Sequence, residues 1–349
     1  MKQRIAIVAG GFSSEHEVSL HSAKGIYDAL DKNLFEARII ELPKEHDTAA
    51  IMAALQAVNE ADYAYITIHG TPGENGLLQG YLEMVGIPYN CCSVLPAALT
   101  FNKYTCTHYL AAFGVHTAQS LLLRKEDYRL SSLSDSGLLS LSDSGLSSLS
   151  DSVPSSLSDS GLLSLSDSGL LSLGLPCFIK SNVGGSSFGC TKVKTPEQIV
   201  PAIEAAFKEG DEVICEQLLT GIEVTCGAFK TQEGITALPI TEVVTSNEFF
   251  DYDAKYNGQV DEITPARIAD ALRDEIQALT KRIYTLLGCS GIIRIDYILS
   301  PNENCPNGYQ INLLEVNTTP GMTPTSFIPQ QIRAAGLNLT DVLTQLIMK

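Results

Sequence analysis

Four polar residues near the C-terminus, Arg294, Asp296, Glu315 and Asn317, have the types and spacing to hold a hard cation. They lie in two stretches, Gly-Ile-Ile-Arg-Ile-Asp-Tyr-Ile-Leu (291–299) and Gln-Ile-Asn-Leu-Leu-Glu-Val-Asn (310–317). Both read as β-strands, and the turn between them is rich in Asn, Pro and Gly. Side chains at i and i+2 share a strand face. Arg294 therefore points the same way as Asp296, and Glu315 the same way as Asn317. Antiparallel pairing would then display two carboxylates, a carboxamide oxygen and a guanidinium on one sheet face. Such oxygen donors suit Mg2+, which proteins usually hold through one or two carboxylates plus phosphate oxygens. A polar sheet face turned to solvent is the plainer reading. It leaves unexplained why apolar residues fill the alternate positions while this face is acidic.

Other positions carry weaker signals. Gly184-Gly185-Ser186-Ser187-Phe188-Gly189 reads as a loop between two strands whose backbone N–H groups could surround phosphate. It is neither a Walker A loop nor a dinucleotide fingerprint, and an ordinary hairpin explains it equally. Lys180, just upstream, would add a point charge for phosphate. Glu216 sits among apolar residues at a strand end, suited to an adenine or ribose contact or to a plain strand edge. Lys255-Tyr256 lies in a polar and aromatic loop, 247–264, of the kind that closes over a site or merely covers a surface. Gly321, in the Thr-Thr-Pro-Gly-Met-Thr run after Asn317, could present an N–H to an oxyanion or simply turn the chain.

The first hundred residues must position ligand groups by strand–helix alternation. Strands are expected at Arg4–Ala9, Phe35–Leu42 and Tyr63–His69, with helices from a Ser14/Glu17 capping box to Leu30 and over Asp47–Val58. This alternation implies a parallel sheet, with ligand groups beyond the strands' carboxyl ends, where Ser13–Glu15 and His69–Gly76 fall. A helix from Pro96 to Phe113 and a strand at Ser120–Arg124 follow. Strands at Pro176–Lys180, Cys190–Lys194 and Glu212–Leu218 enclose a helix at Pro196–Lys208. Further strands run from Glu223 to Val244. Ala266–Leu287 carries Ile268, Leu272, Ile276, Leu279, Ile283 and Leu286 on a helical stripe.

Residues 133–172 interrupt this pattern with five tandem eight-residue repeats of the Leu-Ser-Asp-Ser-Gly-Leu-Leu-Ser type. Their period matches neither a helix nor a heptad. A Ser-rich acidic insertion, flexible and outside the chemistry, is the expectation. At 349 residues two or three domains are expected, divided as 1–96, 97–215 with the insertion at 130–172, and 216–349. The net charge of −17 argues against nucleic acid as a partner. No apolar run approaches bilayer length. Nine cysteines without a Cys-x-x-Cys pair read as core residues of a reducing, cytoplasmic compartment.

In combination the motifs resemble the D-alanine–D-alanine ligases of the ATP-grasp superfamily. The matching stretches are 10–19, 68–76, 178–189, 216–223, 252–256, 294–296 and 313–323, in family order and covering most of the chain outside 129–172. The resemblance implies an α/β (α+β) ATP-grasp architecture: an N-terminal Rossmann-like parallel-sheet domain, a small central α+β subdomain and a C-terminal α+β domain. It implies that Lys103, Lys180 and Lys255 contact ATP phosphates, with Glu216 and Glu223 near adenine and ribose. Asp296, Glu315 and Asn317 would hold Mg2+ (two ions, with Mn2+ as a substitute). Glu15 would bind the ammonium of the first D-alanine, with His69 nearby. Ser186 and Tyr256 would link to Glu15 on lid closure. Arg294 and the Gly321 N–H would stabilise the oxyanion, and Ser326 and Phe327 would sit by the second D-alanine. A cytoplasmic homodimer making D-alanyl-D-alanine for peptidoglycan is the implied protein. Tyr256 beside Lys255 favours an amine acceptor over D-lactate.

Departures from the family pattern are Asn102-Lys103 where Asp-Lys is usual, Lys180-Ser181 where Lys-Pro is usual, and the repeats. Long surface insertions cost little closure entropy, so an active enzyme is expected. D-alanine–D-lactate or D-alanine–D-serine ligation is the nearest alternative. A non-catalytic nucleotide-binding protein that uses its acidic repeats for partners is the alternative from another class.

Overall fold

The computed structural model describes residues 1–126, 128, 173–185, 189–245 and 260–348. Contacts divide the chain into two compact units, Met1–Thr117 with Thr220–Lys349, and Ala118–Leu219. The repeat tract lies outside the described residues.

In the first unit β1 (Gln3–Gly10), β2 (Phe35–Leu42) and β3 (Tyr63–Ile66) form the expected parallel sheet in the order β2-β1-β3. Helices α1 (His16–Ala29) and α2 (Thr48–Val58) make the crossovers. Asp47 caps α2 through its side chain, accepting from the Ala49 and Ala50 N–H groups. The Ser14/Glu17 capping box does not form. Helix α1 begins one residue later, with Glu15 at its N-cap and no side-chain cap bond, which keeps the Glu15 carboxylate out of a helix-capping contact. After β3 come α3 (Leu77–Val85), α4 (Val94–Phe101) and α5 (Lys103–Ala111). The single helix expected over 96–113 is thus two. Asn102 takes an extended conformation between them and its side chain accepts from the Thr105 N–H at 2.9 Å. An N-cap needs a side-chain oxygen rather than a charge, so asparagine serves at this position.

The second unit is a four-stranded antiparallel sheet in the order β4-β7-β5-β6, from β4 (Ser120–Arg124), β5 (Cys177–Ser181), β6 (Thr191–Val193) and β7 (Glu212–Gln217). Helix α6 (Ile199–Ala206) packs Ala202, Ile203 and Ala206 onto it.

The rest of the first unit is a largely antiparallel sheet of β8 (Ile222–Thr231), β9 (Gly234–Ala237), β10 (Thr241–Thr245), β11 (Val260–Ile263), β12 (Ile292–Pro301) and β13 (Tyr309–Asn317), ordered β11-β10-β8-β12-β13 with β9 on β8. Helix α7 (Asp270–Leu286) covers one face with Leu272, Ile276 and Ile283 from the expected stripe. It starts four residues later than the stripe suggests. The Ala266 N–H donates to Ile240 O, and Arg267 grips Glu242 at 2.7 and 2.9 Å, so this stretch is committed to the sheet edge. Helices α8 (Phe327–Ala334) and α9 (Leu339–Ile347) bury Ile328, Ile332, Val342 and Leu343 in one core with Ile5, Ile7 and Ile26. The N- and C-terminal segments are therefore one folded body.

On β12 the residues Ile293, Ile295, Tyr297 and Leu299 all face the core without exposure, while Arg294 and Asp296 face the other side. Ile295→Ala removes a fully buried branched side chain from this strand. Urea unfolding should show a loss of about 2–5 kcal/mol, by lost transfer energy and the cavity left behind.

Candidate active site

Strands β12 and β13 pair antiparallel, with Arg294 opposite Asn317 and Asp296 opposite Glu315. The expected acidic face exists. Its geometry holds one element that alternation alone does not contain. The register shifts between Asp296 and Tyr297, so Tyr297 faces Leu313 and Leu314 has no paired residue. Strict alternation along β13 would have put Ile311, Leu313, Glu315 and Asn317 on one face. The inserted Leu314 lets Ile311, Leu313 and Val316 enter the core while Glu315 and Asn317 face the site. Bulges of this kind re-aim side chains beside active sites.

The face is already a network. The Arg294 guanidinium donates to Asp296 through Nε at 2.9 Å and Nη2 at 2.7 Å, and lies 3.8 Å from Glu315. Asn317 Nδ2 donates to Asp296 Oδ2 at 3.1 Å and to Glu315 Oε1 at 3.5 Å. Arg294 also stands 5.4 Å from the Phe327 ring, a cation–π contact. Burial pulls the Arg294 pKa down, but Asp296 and then Glu315 outweigh it, and the group is held cationic. Glu223 is two positions from Thr225, the residue opposite Asp296 on β8, and so belongs to the same sheet face.

Around this face the N-terminal loops supply the remaining groups. Glu15 is buried at the start of α1. Ser13 Oγ donates to His69 O at 2.7 Å and accepts from the Glu15 N–H at 3.2 Å, joining the loops after β1 and β3. His69 Nε2 meets Ser22 Oγ at 3.2 Å, and the ring is also hydrogen-bonded to the Thr319 backbone. Ser22 in turn accepts from the Met322 N–H at 3.4 Å. Gly25 permits this docking, since a Cβ there would come within 2.5 Å of Met322 O. Gly321 is held between these contacts and Ser326, whose hydroxyl bonds Thr323 at 2.7 Å. Burial lowers the His69 pKa, against an upward pull from Glu15, so the imidazole is neutral near pH 7.

Lys103 opens α5 and its charge acts on Glu74. In the second unit Lys180 Nζ pairs with Glu216 Oε2 at 2.6 Å, both largely buried and on diagonal positions of β5 and β7. A lysine ammonium is a compact point charge of the kind that contacts phosphate oxygens. Ser186, Lys255 and Tyr256 lie outside the described residues. Among the described residues no group of three His, Cys, Asp or Glu stands close enough to hold a metal ion. The donor set on β12 and β13, two carboxylates and one carboxamide, fits a cation that takes its other ligands from phosphate and water. Glu74 and Ser22 were absent from the sequence candidates. Glu74 lies inside the 68–76 motif without a spacing signal of its own, and Ser22 reads as an ordinary helix serine.

The family model described as D-ala D-ala ligase C-terminus matches residues 165–348, and that described as D-ala D-ala ligase N-terminus matches residues 4–57. This chain belongs to the D-alanine–D-alanine ligase family. It is 51% identical to the D-alanine–D-alanine ligase of Bacteroides fragilis over 362 aligned residues, covering 99% of each chain. The corresponding ligase of Phocaeicola vulgatus is 48% identical with the same coverage. Among solved structures, the VanG D-Ala:D-Ser ligase of Enterococcus faecalis superposes with a TM-score of 0.74 at 26% identity, covering 100% of this chain and 99% of that one. The D-alanine–D-alanine ligase of Bacillus anthracis complexed with ATP gives 0.73 at 26%, covering 99% and 96%. The ATP-grasp architecture expected from the motifs is thereby shown. Among the described residues no helix is long and apolar enough to cross a membrane.

The neutral, buried His69 gives a pH test of this ligase's site. Its folded pKa lies below the unfolded value near 6.5, so below that pH the unfolded chain binds the extra proton. Stability is therefore lost as pH falls from about 6.5 toward the depressed pKa. His69→Gln should flatten the urea-derived stability curve in that window, by at most about 1.4 kcal/mol per pH unit, and leave it unchanged above it.

Proposed function

We propose that this ligase joins two D-alanines at the expense of ATP, through an acyl phosphate, and supplies the dipeptide for peptidoglycan. The observation that carries the reading is the paired Asp296 and Glu315 beside Arg294 on one sheet face, in a chain of this family. A carboxylate is a poor acyl donor, so phosphorylation by ATP must precede amine attack. Asp296, Glu315 and Asn317 would hold Mg2+ there, two ions in the family manner, or Mn2+ in its place. The bound cation would neutralise charge on the transferring phosphoryl group.

The chain's own groups do the rest. Lys103, Lys180 and Lys255 bind phosphate oxygens, and Glu216 and Glu223 contact the adenine and ribose. Glu15 takes the ammonium of the first D-alanine, beside a neutral His69 that adds no competing charge. Ser186 and Tyr256 link to Glu15 when the loop that carries Lys255 and Tyr256 closes and excludes water from the acyl phosphate. Arg294 and the Gly321 N–H face the oxyanion that forms as the second amine attacks. Arg294 is bidentate on Asp296, a carboxylate that would also hold the cation, and its remaining guanidinium N–H groups would be the donors to the oxyanion. Ser326 and Phe327 receive the second D-alanine. Cytoplasmic location and a homodimer complete the proposal, with no nucleic-acid or membrane partner. A D-Ala:D-Ser ligase among the structural relatives makes D-serine the acceptor to compare.

Coupled ADP release on the full-length protein tests this. ADP should appear only with D-alanine present, D-alanyl-D-alanine should be the product, and D-alanine should outcompete D-serine and D-lactate as acceptor. Glu315→Gln should lower kcat at least about 100-fold, the loss of several kcal/mol of charge stabilisation. ADP release independent of D-alanine would replace this reading with a non-synthetic nucleotide-binding one.

A further inference from the structure

The turn after β3 holds an acidic residue that none of the roles above uses. Glu74 Oε2 accepts from the Gly70 N–H at 2.7 Å, and the Glu74 N–H donates to Gly70 O at 2.8 Å. These two bonds close the turn immediately after His69. Gly70 has φ +72°, and a Cβ there would lie 2.8 Å from Ser13 Cβ. The Ser13 hydroxyl holds the His69 carbonyl, and the Phe12 N–H donates to Thr71 O at 3.0 Å. The Glu74 carboxyl is thus the clasp on the turn that sets His69 and Ser13 beside Glu15.

A plain turn clasp needs only an acceptor, which an asparagine or glutamine provides. Glu74 instead stands in the field of four charged groups from four elements: Glu15 at the start of α1, Lys103 on α5, Arg294 on β12 and Glu315 on β13. We propose that Glu74 is a positioning residue for the D-alanine end of the site. Its carboxyl fixes the His69–Thr71 turn against Glu15, and its charge state sets the local charge that the amino acid's ammonium meets. The inference rests on the ligase reading and deepens it. Burial, and next the charge of Glu15, push the Glu74 pKa up to about 8, while the Gly70 N–H and Lys103 pull it down. The group is mostly a neutral acid near pH 7, and its ionisation at higher pH adds negative charge beside Glu15.

The test compares wild type with Glu74→Ala and Glu74→Gln, measuring KM for D-alanine and for ATP separately from about pH 6 to about pH 10. Glu74→Ala should raise the D-alanine KM about tenfold and leave the ATP KM within about twofold. Glu74→Gln, which still accepts from Gly70, should recover most of that loss. It should also lack the inflection near pH 8 in the wild-type kcat/KM for D-alanine. Hydrogen exchange over residues 67–76 gives a readout independent of catalysis, faster in the alanine variant and near wild type in the glutamine variant. Equal changes in both KM values, an inflection that survives in Glu74→Gln, or unchanged exchange in Glu74→Ala would each overturn the proposal. If wild type made no dipeptide, the ligase reading would fall and the exchange comparison alone would decide the role of Glu74.

Discussion

One strand pair has to satisfy two incompatible demands, a dry core on one face and a cluster of charges on the other. β12 meets them by plain alternation. β13 does not, because Leu313 and Glu315 have the same parity yet belong on opposite faces. The unpaired Leu314 removes the conflict by shifting the register one residue between the core end and the site end. Burying an unpartnered carboxylate would cost several kcal/mol, far more than one local break in a ladder of hydrogen bonds. The pairing of the β12 and β13 polar groups follows from this shift, since Asp296 meets Glu315 and Arg294 meets Asn317 only on its far side.

The second layer of organisation is the approach of the N-terminal loops to the segment after β13. Gly25 gives α1 a close contact with Met322, and Ser22 bridges His69 and the Met322 N–H. Glu15, His69 and Gly321 thereby belong to one rigid arrangement built on packed elements. The shared core of Ile5, Ile7, Ile328 and Ile332 fixes it from behind. With several like charges in a partly buried region, charge balance matters. Arg294 offsets Asp296 and Glu315, while burial keeps His69 neutral.

Much of this was legible in the sequence because it rests on short-range patterns. Phase predicted the Arg294/Asp296 and Glu315/Asn317 pairs, and the helical stripe predicted α7. The parallel N-terminal sheet followed from strand–helix alternation. What was not legible depends on distant contacts. Leu314 is one apolar residue among others, and nothing local marks it as the inserted one. Asn102 breaks a helix because its side chain caps the next, which competes with an otherwise continuous helical run. Arg267 delays α7 because Glu242, far away in sequence, holds it. Glu74 gains its meaning only when Glu15, Lys103, Arg294 and Glu315 are brought around it. The family resemblance carried the role assignments, whereas geometry supplies the partners: Asp296 for Arg294, Glu216 for Lys180 and Ser22 for His69.

The central claim is that the register-shifted strand pair presents Asp296 and Glu315 together as a cation site. Equilibrium binding of Mn2+ in the presence of ADP, followed by its paramagnetic resonance signal, tests that without relying on turnover. Asp296→Asn and Glu315→Gln should each weaken Mn2+ binding at least about tenfold relative to wild type, as expected when a metal ligand is lost. Wild-type affinity in both variants would contradict the account.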